Sequence, residues 1–397
     1  MGDALATVIS PTREGILMGA GIDWVINSCR LLTRIGDEFE ASQPFAGVRI
    51  GTAIHMEPKT VALILTLQRG GADLVAMGNL GSTQLDAADY LRQRGVTVVG
   101  QPTTDLNEHD GYLRELLATQ PDVLLDNGGD LFVRYLENPY EHLRGGTEET
   151  TSGRNRLLPL RSQLNRPVLV INDSPIKQFA ENYHAVGLSV LESYLRITNR
   201  TPNGERVTVY GYGPCGKGIA VNFRNAFAKV TVREIDPVKR LEAHLDGFAV
   251  VASDEAAASA DVIITSTGAT HVITADNLPH LRDGVIMINA GHFPDEIDVA
   301  GIASSPGVVS AATSDGITTY TTSAGRHVHV LAGGHMVNLN GPRPLGNSIE
   351  SMDLGFALQS KCLEAVARGT VTAADVVVPV PSWIDDYVSD AYLASRG

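Results

Sequence analysis

The sequence has few cysteines, no long apolar run and no excess of positive charge, and each lack removes a class of protein. Its three cysteines are Cys29, Cys215 and Cys362, with neither pairing nor metal-ligand spacing. A disulfide framework and a zinc ribbon are therefore excluded, and a reduced, cytoplasmic setting is the expectation. No run of about eighteen apolar residues, the length a spanning helix needs, is found, and no basic-then-apolar leader opens the chain. Lys and Arg number 31 against 45 Asp and Glu, a net charge of −14, which argues against nucleic acid or an anionic membrane as partner. Low-complexity segments are missing too, as are repeats beyond two α/β halves. What is there is an ordinary globular composition, 43% hydrophobic and 19% charged over 397 residues, enough for two or three domains.

The first half alternates short apolar strands with helical stretches. Strands are expected at 48–53, 73–77, 97–100, 123–125 and 168–171, all rich in Val, Ile, Leu or Ala. Such runs between longer helical patterns predict a parallel sheet covered on both faces. Polar residues suited to chemistry follow three of these strands: His55, the stretch 127–130, and the stretch 172–177. Open parallel sheets bind ligands outside the carboxyl ends of their strands. A second set of strands is expected at 207–210, 229–233, 249–252, 262–265 and 285–289, a bridging helix at 185–198, a hairpin around 324–331 and a late helix at 351–368. The fold class is thus α/β, with two doubly wound parallel-sheet domains around a hinged cleft. The expected divisions are a substrate domain over 1–184, a dinucleotide domain with its hinge helix over 185–346, and a return to the first domain over 347–397.

The second set carries a specific signature. The run VTVYGYGPCGKG at 207–218 places Gly211, Gly213 and Gly216 directly after a strand, and VTVREIDP at 230–237 follows with Glu234 about twenty residues on. The first glycine permits the tight turn, the second lets a pyrophosphate approach the backbone, and the third lets the helix sit close to the strand. The acid can accept hydrogen bonds from a ribose diol, which favours NAD over NADP, although Arg233 beside it pulls the other way. The same residues spell most of a nucleoside-triphosphate loop, but Gly218 stands where a Ser or Thr should hold magnesium. Cys215 falls in the first turn of the following helix, where a thiol could be acidified. Packing is the simpler reading for it.

Several passages in order resemble the S-adenosylhomocysteine hydrolase family: HMEPKT at 55–60, GSTQ at 81–84, LDNGGDL at 125–131, GTEETTSG at 146–153, VINDSPIK at 170–177, TSTG at 265–268, NAGHFPDEID at 289–298 and VNL at 337–339. The resemblance covers nearly the whole chain. It implies a small-molecule nucleoside substrate, a tightly held NAD and a homo-oligomer, dimer or tetramer. The implied chemistry is transient oxidation of the 3′-hydroxyl, which acidifies the C4′ proton, then expulsion of the 5′ substituent and addition of water. Lys177 falls on the lysine that helps deprotonate the 3′-hydroxyl, with Glu181 beside it and Glu149 holding the ribose hydroxyls. His55 and His292 fall on the two histidines of the site, and Thr60 and Asn182 on substrate contacts. Thr150, Thr151, Asn182, Thr267, Asn289 and Asn338 join the glycines and Glu234 in holding NAD.

The departures are informative as well. Asn127 replaces an aspartate, and an amide cannot exchange a proton near neutral pH. Lys59 stands where the family sets an acid or glutamine against the adenine amine, a reversal of charge. Glu181 replaces an aspartate and is one methylene longer. Gly346-Asn347-Ser348 stands where a histidine motif is implied, after two inserted residues, and makes Asn347 the substrate-pocket residue. The implied closing helix with its lysine and tyrosine tail has no counterpart before Gly397, so NAD is expected to be held less firmly. Residues serving C3′ survive, while those serving the base, the 5′ group and water addition change. This pattern resembles the branch that forms the unsaturated sugar of angustmycin A, and a dehydration of an adenine nucleoside is the expected net reaction. The alternatives are ordinary cleavage of S-adenosylhomocysteine to adenosine and homocysteine, and a silent NAD-binding regulatory paralogue.

Overall fold

The computed structural model describes residues 13–252 and 255–396. The first strands are β1 (Arg49–Ala53), β2 (Asp73–Met77), β3 (Thr97–Val98), β4 (Val123–Asp126), β5 (Gly145–Glu148) and β6 (Val168–Val170). In β1 and β2 every residue after the first is buried, as expected of strands covered on both faces. Strand β5 was not foreseen, because its Gly-Gly start carries no apolar side chain. The glycines are needed there: a Cβ on Gly146 would lie 1.9 Å from the Leu124 carbonyl oxygen of the neighbouring strand.

The second set comprises β7 (Arg206–Tyr210), β8 (Lys229–Arg233), β9 (Ala249–Val251), β10 (Val262–Thr265), β11 (Val285–Asn289), β12 (Val308–Ser314), β13 (Ile317–Thr322) and β14 (His327–Leu331). The last strand, β15 (Val376–Pro379), returns to the first sheet beside β6. The two sheet orders are β15-β6-β5-β4-β1-β2-β3 and β12-β13-β14-β11-β10-β7-β8-β9. The first is wholly parallel. The second is parallel from β14 to β9 and ends in an antiparallel edge, where the expected hairpin gains β12 as a third strand. Each sheet reverses its winding once, between β4 and β1 in the first and between β7 and β10 in the second. Ligands of doubly wound sheets bind at that reversal.

The chain divides into two compact units, one running to Ile171 and resuming at Phe356, the other spanning Asn172–Gly355. These breaks differ from the expected 184/185 and 346/347. The wide-turned helix Lys177–Ala185 and the helix Val186–Thr198 lie against the helix Pro214–Asn225 of the second unit. A Cβ on Gly218 would meet the Tyr183 carbonyl oxygen at 1.9 Å, and one on Gly187 would meet Gly218 at 2.4 Å. The first of these contacts binds residues 172–184 to the second unit. Among the described residues, no helix is long and apolar enough to cross a membrane.

Candidate functional site

In the first unit the residues gather at the β1–β4 reversal. His55 follows β1, and its Nδ1 lies 2.6 Å from the Ser82 hydroxyl. The Thr60 hydroxyl donates to the His55 carbonyl at 2.5 Å, tying the loop to the first turn of the helix Pro58–Arg69. Ser82 also donates to the Asn79 carbonyl at 3.3 Å, and the Asn79 amide donates to Asn127 Oδ1 at 3.0 Å. His55, Ser82, Asn79 and Asn127 thus form one linked set. Lys59 is buried, and its ammonium lies 2.7 Å from the buried Glu57 carboxylate. The expected reversal of charge is therefore corrected to a neutral pair. Burial pushes the Glu57 carboxyl up, and Lys59 pulls it back.

Glu149, 4% exposed, accepts from the side-chain amide of Gln359, 210 residues away in sequence. The residue before it does more structural work than the motif reveals. Glu148 Oε1 accepts from Gly128 N at 3.0 Å and from the N–H and hydroxyl of Thr150 at 2.8 Å, and its Oε2 accepts from Gly129 N at 3.0 Å. A Cβ on Gly153 would lie 2.1 Å from Glu148 Oε1. Burial first, and the neighbouring Asp126 second, hold the Glu148 carboxyl well above the ordinary range. Asp126 is raised to about 7 by burial, while its oxygens accept from Phe132 N at 3.0 Å and Asn127 N at 2.9 Å. Thr150 is also the N-cap of the helix Thr151–Leu157, accepting from Gly153 N, and Thr151 is exposed. Both expected cofactor threonines belong to the first unit.

In the second unit the three glycines have three distinct reasons. Gly211 has φ +94° at the β7–β10 reversal, and a Cβ there would meet Ser266 O at 2.4 Å. A Cβ on Gly216 would meet Gly211 O at 2.1 Å, whereas one on Gly213 would meet nothing within 4 Å. Gly213 is the N-cap of the helix Pro214–Asn225, so the space its missing side chain leaves lies before the positive end of a helix. That space suits the pyrophosphate of NAD, and the cradle fits the cofactor. Gly218 could not be the Ser or Thr of a triphosphate loop, given the Tyr183 carbonyl at 1.9 Å from its Cβ position. Glu234 follows β8 and accepts from Tyr212 N at 2.8 Å, Ile235 N at 2.7 Å and Asp236 N at 2.9 Å. Its carboxylate is fixed by backbone before any ribose reaches it.

Lys177 and Glu181 face each other one turn apart, 2.5 Å between Nζ and Oε2, with side chains 8% and 2% exposed. Ser174 and Pro175 start this helix, and Ser174 Oγ accepts from Ile176 N at 3.1 Å. Wide turns of this type are frequent at functional sites. Asn182 donates to Asn172 Oδ1 at 3.0 Å. The half-buried Cys215 thiol lies within the field of Lys177 and Glu181, and burial, the largest effect on it, pushes it up to about 11 and not toward an acidified thiol.

After β10 and β11, Thr267 donates through N and Oγ1 to Glu296 Oε2 at 3.0 and 2.9 Å, and Gly268 N donates to Oε1 at 2.8 Å. Glu296 was not singled out in the sequence, though the NAGHFPDEID motif contains it. Asn289 bonds Thr265, Gly291, Phe293 and Gly334 through its side chain, which makes it an organiser of the loop. His292 packs edge-on against Phe293, centroids 5.4 Å apart. Asn338 donates to Ser189 Oγ at 3.1 Å and to Asn347 Oδ1 at 3.4 Å, and Ser189 donates to Asn347 Oδ1 at 3.1 Å. An expected cofactor residue and an expected substrate residue are thereby joined. The predicted site is thus apportioned: His55, Lys59, Thr60, Asn127, Glu149, Thr150 and Thr151 in the first unit, the remainder in the second. Among the described residues no cluster of His, Cys, Asp and Glu could hold a metal ion.

Comparison with known proteins adds the family. Residues 182–343 match "S-adenosyl-L-homocysteine hydrolase, NAD binding domain", and residues 27–138 match "S-adenosyl-L-homocysteine hydrolase". The Adenosylhomocysteinase of Thermotoga maritima is 38% identical over 382 residues, covering 95% of this chain and 94% of its own. The S-inosyl-L-homocysteine hydrolase of Methanopyrus kandleri is 36% identical, covering 95% and 90%. The Adenosylhomocysteinase of Archaeoglobus fulgidus is 34% identical, covering 95% and 93%.

Proposed function

Because the chain belongs to the S-adenosyl-L-homocysteine hydrolase family and takes NAD as its cofactor, we propose that it transiently oxidises the 3′-hydroxyl of an adenine nucleoside and expels the 5′-hydroxyl as water, leaving an unsaturated sugar. Bound NAD supplies the redox chemistry, taking electrons from the sugar carbon and returning them. Lys177 passes a proton to the paired Glu181 carboxylate and, as the amine, takes up the 3′-hydroxyl proton. Glu149, oriented by Gln359, accepts from the sugar hydroxyls. Once C3′ is a ketone, the C4′ proton is acidic and passes to His55, which carries it to the departing oxygen. The C5′–O bond then breaks, and His55, held at Nδ1 by Ser82, gives the departing oxygen its proton. Hydroxide leaves poorly, so this protonation is the demanding step.

The observation that carries the dehydration is Asn127. Its carboxamide oxygen accepts from the Asn79 amide, so two neutral amides, linked to the histidine through Ser82, stand in the set where hydrolytic addition of water calls for an acid. A second reading, hydrolysis of a nucleosyl-homocysteine thioether, is favoured by what the relatives are named for. Incubation with NAD and adenosine-type nucleosides, or with S-adenosylhomocysteine, in heavy-oxygen water separates them. Dehydration yields a product lighter than its substrate by one water and free of label. Rapid formation of adenosine and homocysteine would overturn it in favour of hydrolysis.

A further inference from the structure

Glycine is among the poorest formers of a helix interior, yet Gly355 sits inside the helix Ile349–Ala367. Its surroundings supply a reason. A Cβ at Gly355 would lie 1.6 Å from Glu181 Oε1 and 2.8 Å from its Cδ. The Glu181 carboxylate is buried and clamped to Lys177, so it is not a loose surface end that can swing aside. Both residues belong to the second unit.

We infer that Gly355 is a positioning residue for the Lys177–Glu181 pair, its missing side chain being the space that admits a glutamate there. An aspartate, one methylene shorter, would not need that space, and the resemblance implies an aspartate at position 181. Length at 181 and absence of a side chain at 355 therefore form one device, written in two segments far apart in the chain. The effect on the sugar passes through Lys177 alone, so the inference rests on the proposed role of that lysine.

Three variants test it: Gly355→Ala, Glu181→Asp and the double substitution. The first readout is the rate at which a small amine-acylating reagent modifies Lys177 relative to surface lysines, followed by peptide mass spectrometry with and without added NAD. The second is the rate at which nucleoside reduces the bound cofactor in a single turnover, read by absorbance. Gly355→Ala should change Lys177 labelling and slow reduction about tenfold or more, and the double variant should recover most of that loss, the coupling that residues in contact show. Parent-like behaviour of Gly355→Ala in both readouts would overturn the inference, as would a double variant no better than Gly355→Ala. If Gly355→Ala does not fold, folding of the double variant supports the device and its failure refutes it. A parent protein that never reduces its cofactor would defeat the proposed function, while the labelling arm would still decide the role of Gly355.

Discussion

Replacing the glycines of the turn one at a time should separate cofactor binding from folding. At Gly213 the backbone has φ −68° and ψ 180°, open to any residue, and an added methyl would meet no protein atom within 4 Å. Alanine gains through reduced freedom of the unfolded chain and loses slightly as an N-cap, so Gly213→Ala should alter stability by less than about 1 kcal/mol. The methyl would instead occupy the space before the helix end, and NAD should bind at least about tenfold more weakly, about 1.4 kcal/mol. Gly216→Ala behaves oppositely. Its Cβ would press on the Gly211 carbonyl at 2.1 Å, and backbone yields little, so a stability loss of about 1–3 kcal/mol is expected. Gly211→Ala adds a left-handed φ of +94° to a contact at 2.4 Å from Ser266 O, and about 2–5 kcal/mol follows. Denaturant unfolding without added NAD gives the stabilities, and calorimetric titration gives the affinities. The reasoning is refuted if Gly213→Ala binds NAD as tightly as the parent, or unfolds as easily as Gly216→Ala.

Other consequences can be measured on the same protein. Lys177→Met should abolish nucleoside-driven reduction of the cofactor, while His55→Gln should keep part of it and block loss of the 5′ group; equal loss in both would show that His55 is needed earlier, for binding. The parent should prefer NAD to NADP at least about tenfold, because Glu234 stands rigid on three backbone N–H groups. Glu234→Gln should narrow that ratio, and an unchanged ratio would transfer the preference to other residues. Asp126 titrates near 7 because burial favours its protonated form. Its contribution to stability is complete below the ordinary carboxylate range and is lost as pH rises through about 7, at up to about 1.4 kcal/mol per pH unit. Unfolding measured from pH 4 to 8 should therefore show a falling component that Asp126→Asn removes; parallel curves for the two proteins would contradict the assignment.

What the sequence by itself determined is the part of the protein built from local rules. Strands β1, β2, β7, β10 and β11 were readable because a strand buried on both faces is a short apolar run, and periodicity needs no partner to be seen. Gly211, Gly213 and Gly216 were readable because a tight turn, a phosphate approach and a helix contact recur at fixed spacing. Lys177 and Glu181 were named by the family resemblance and not by a local rule, and the structure pairs them one helical turn apart. Tertiary structure decided what depends on residues distant in the chain. Strand β5 exists because Gly146 lets two backbones close together, and nothing in Gly-Gly-Thr-Glu names its neighbour. Lys59 is only two residues from Glu57, yet it took the burial of both to make them one close pair. Glu148 and Glu296 each hold a glycine-bearing loop 19 to 29 residues upstream, so their role lies in N–H groups that carry no side-chain signature. The partnership of Glu181 with Gly355 was the least legible, because the sign of it is an empty volume, and a sequence records atoms but not the space between them.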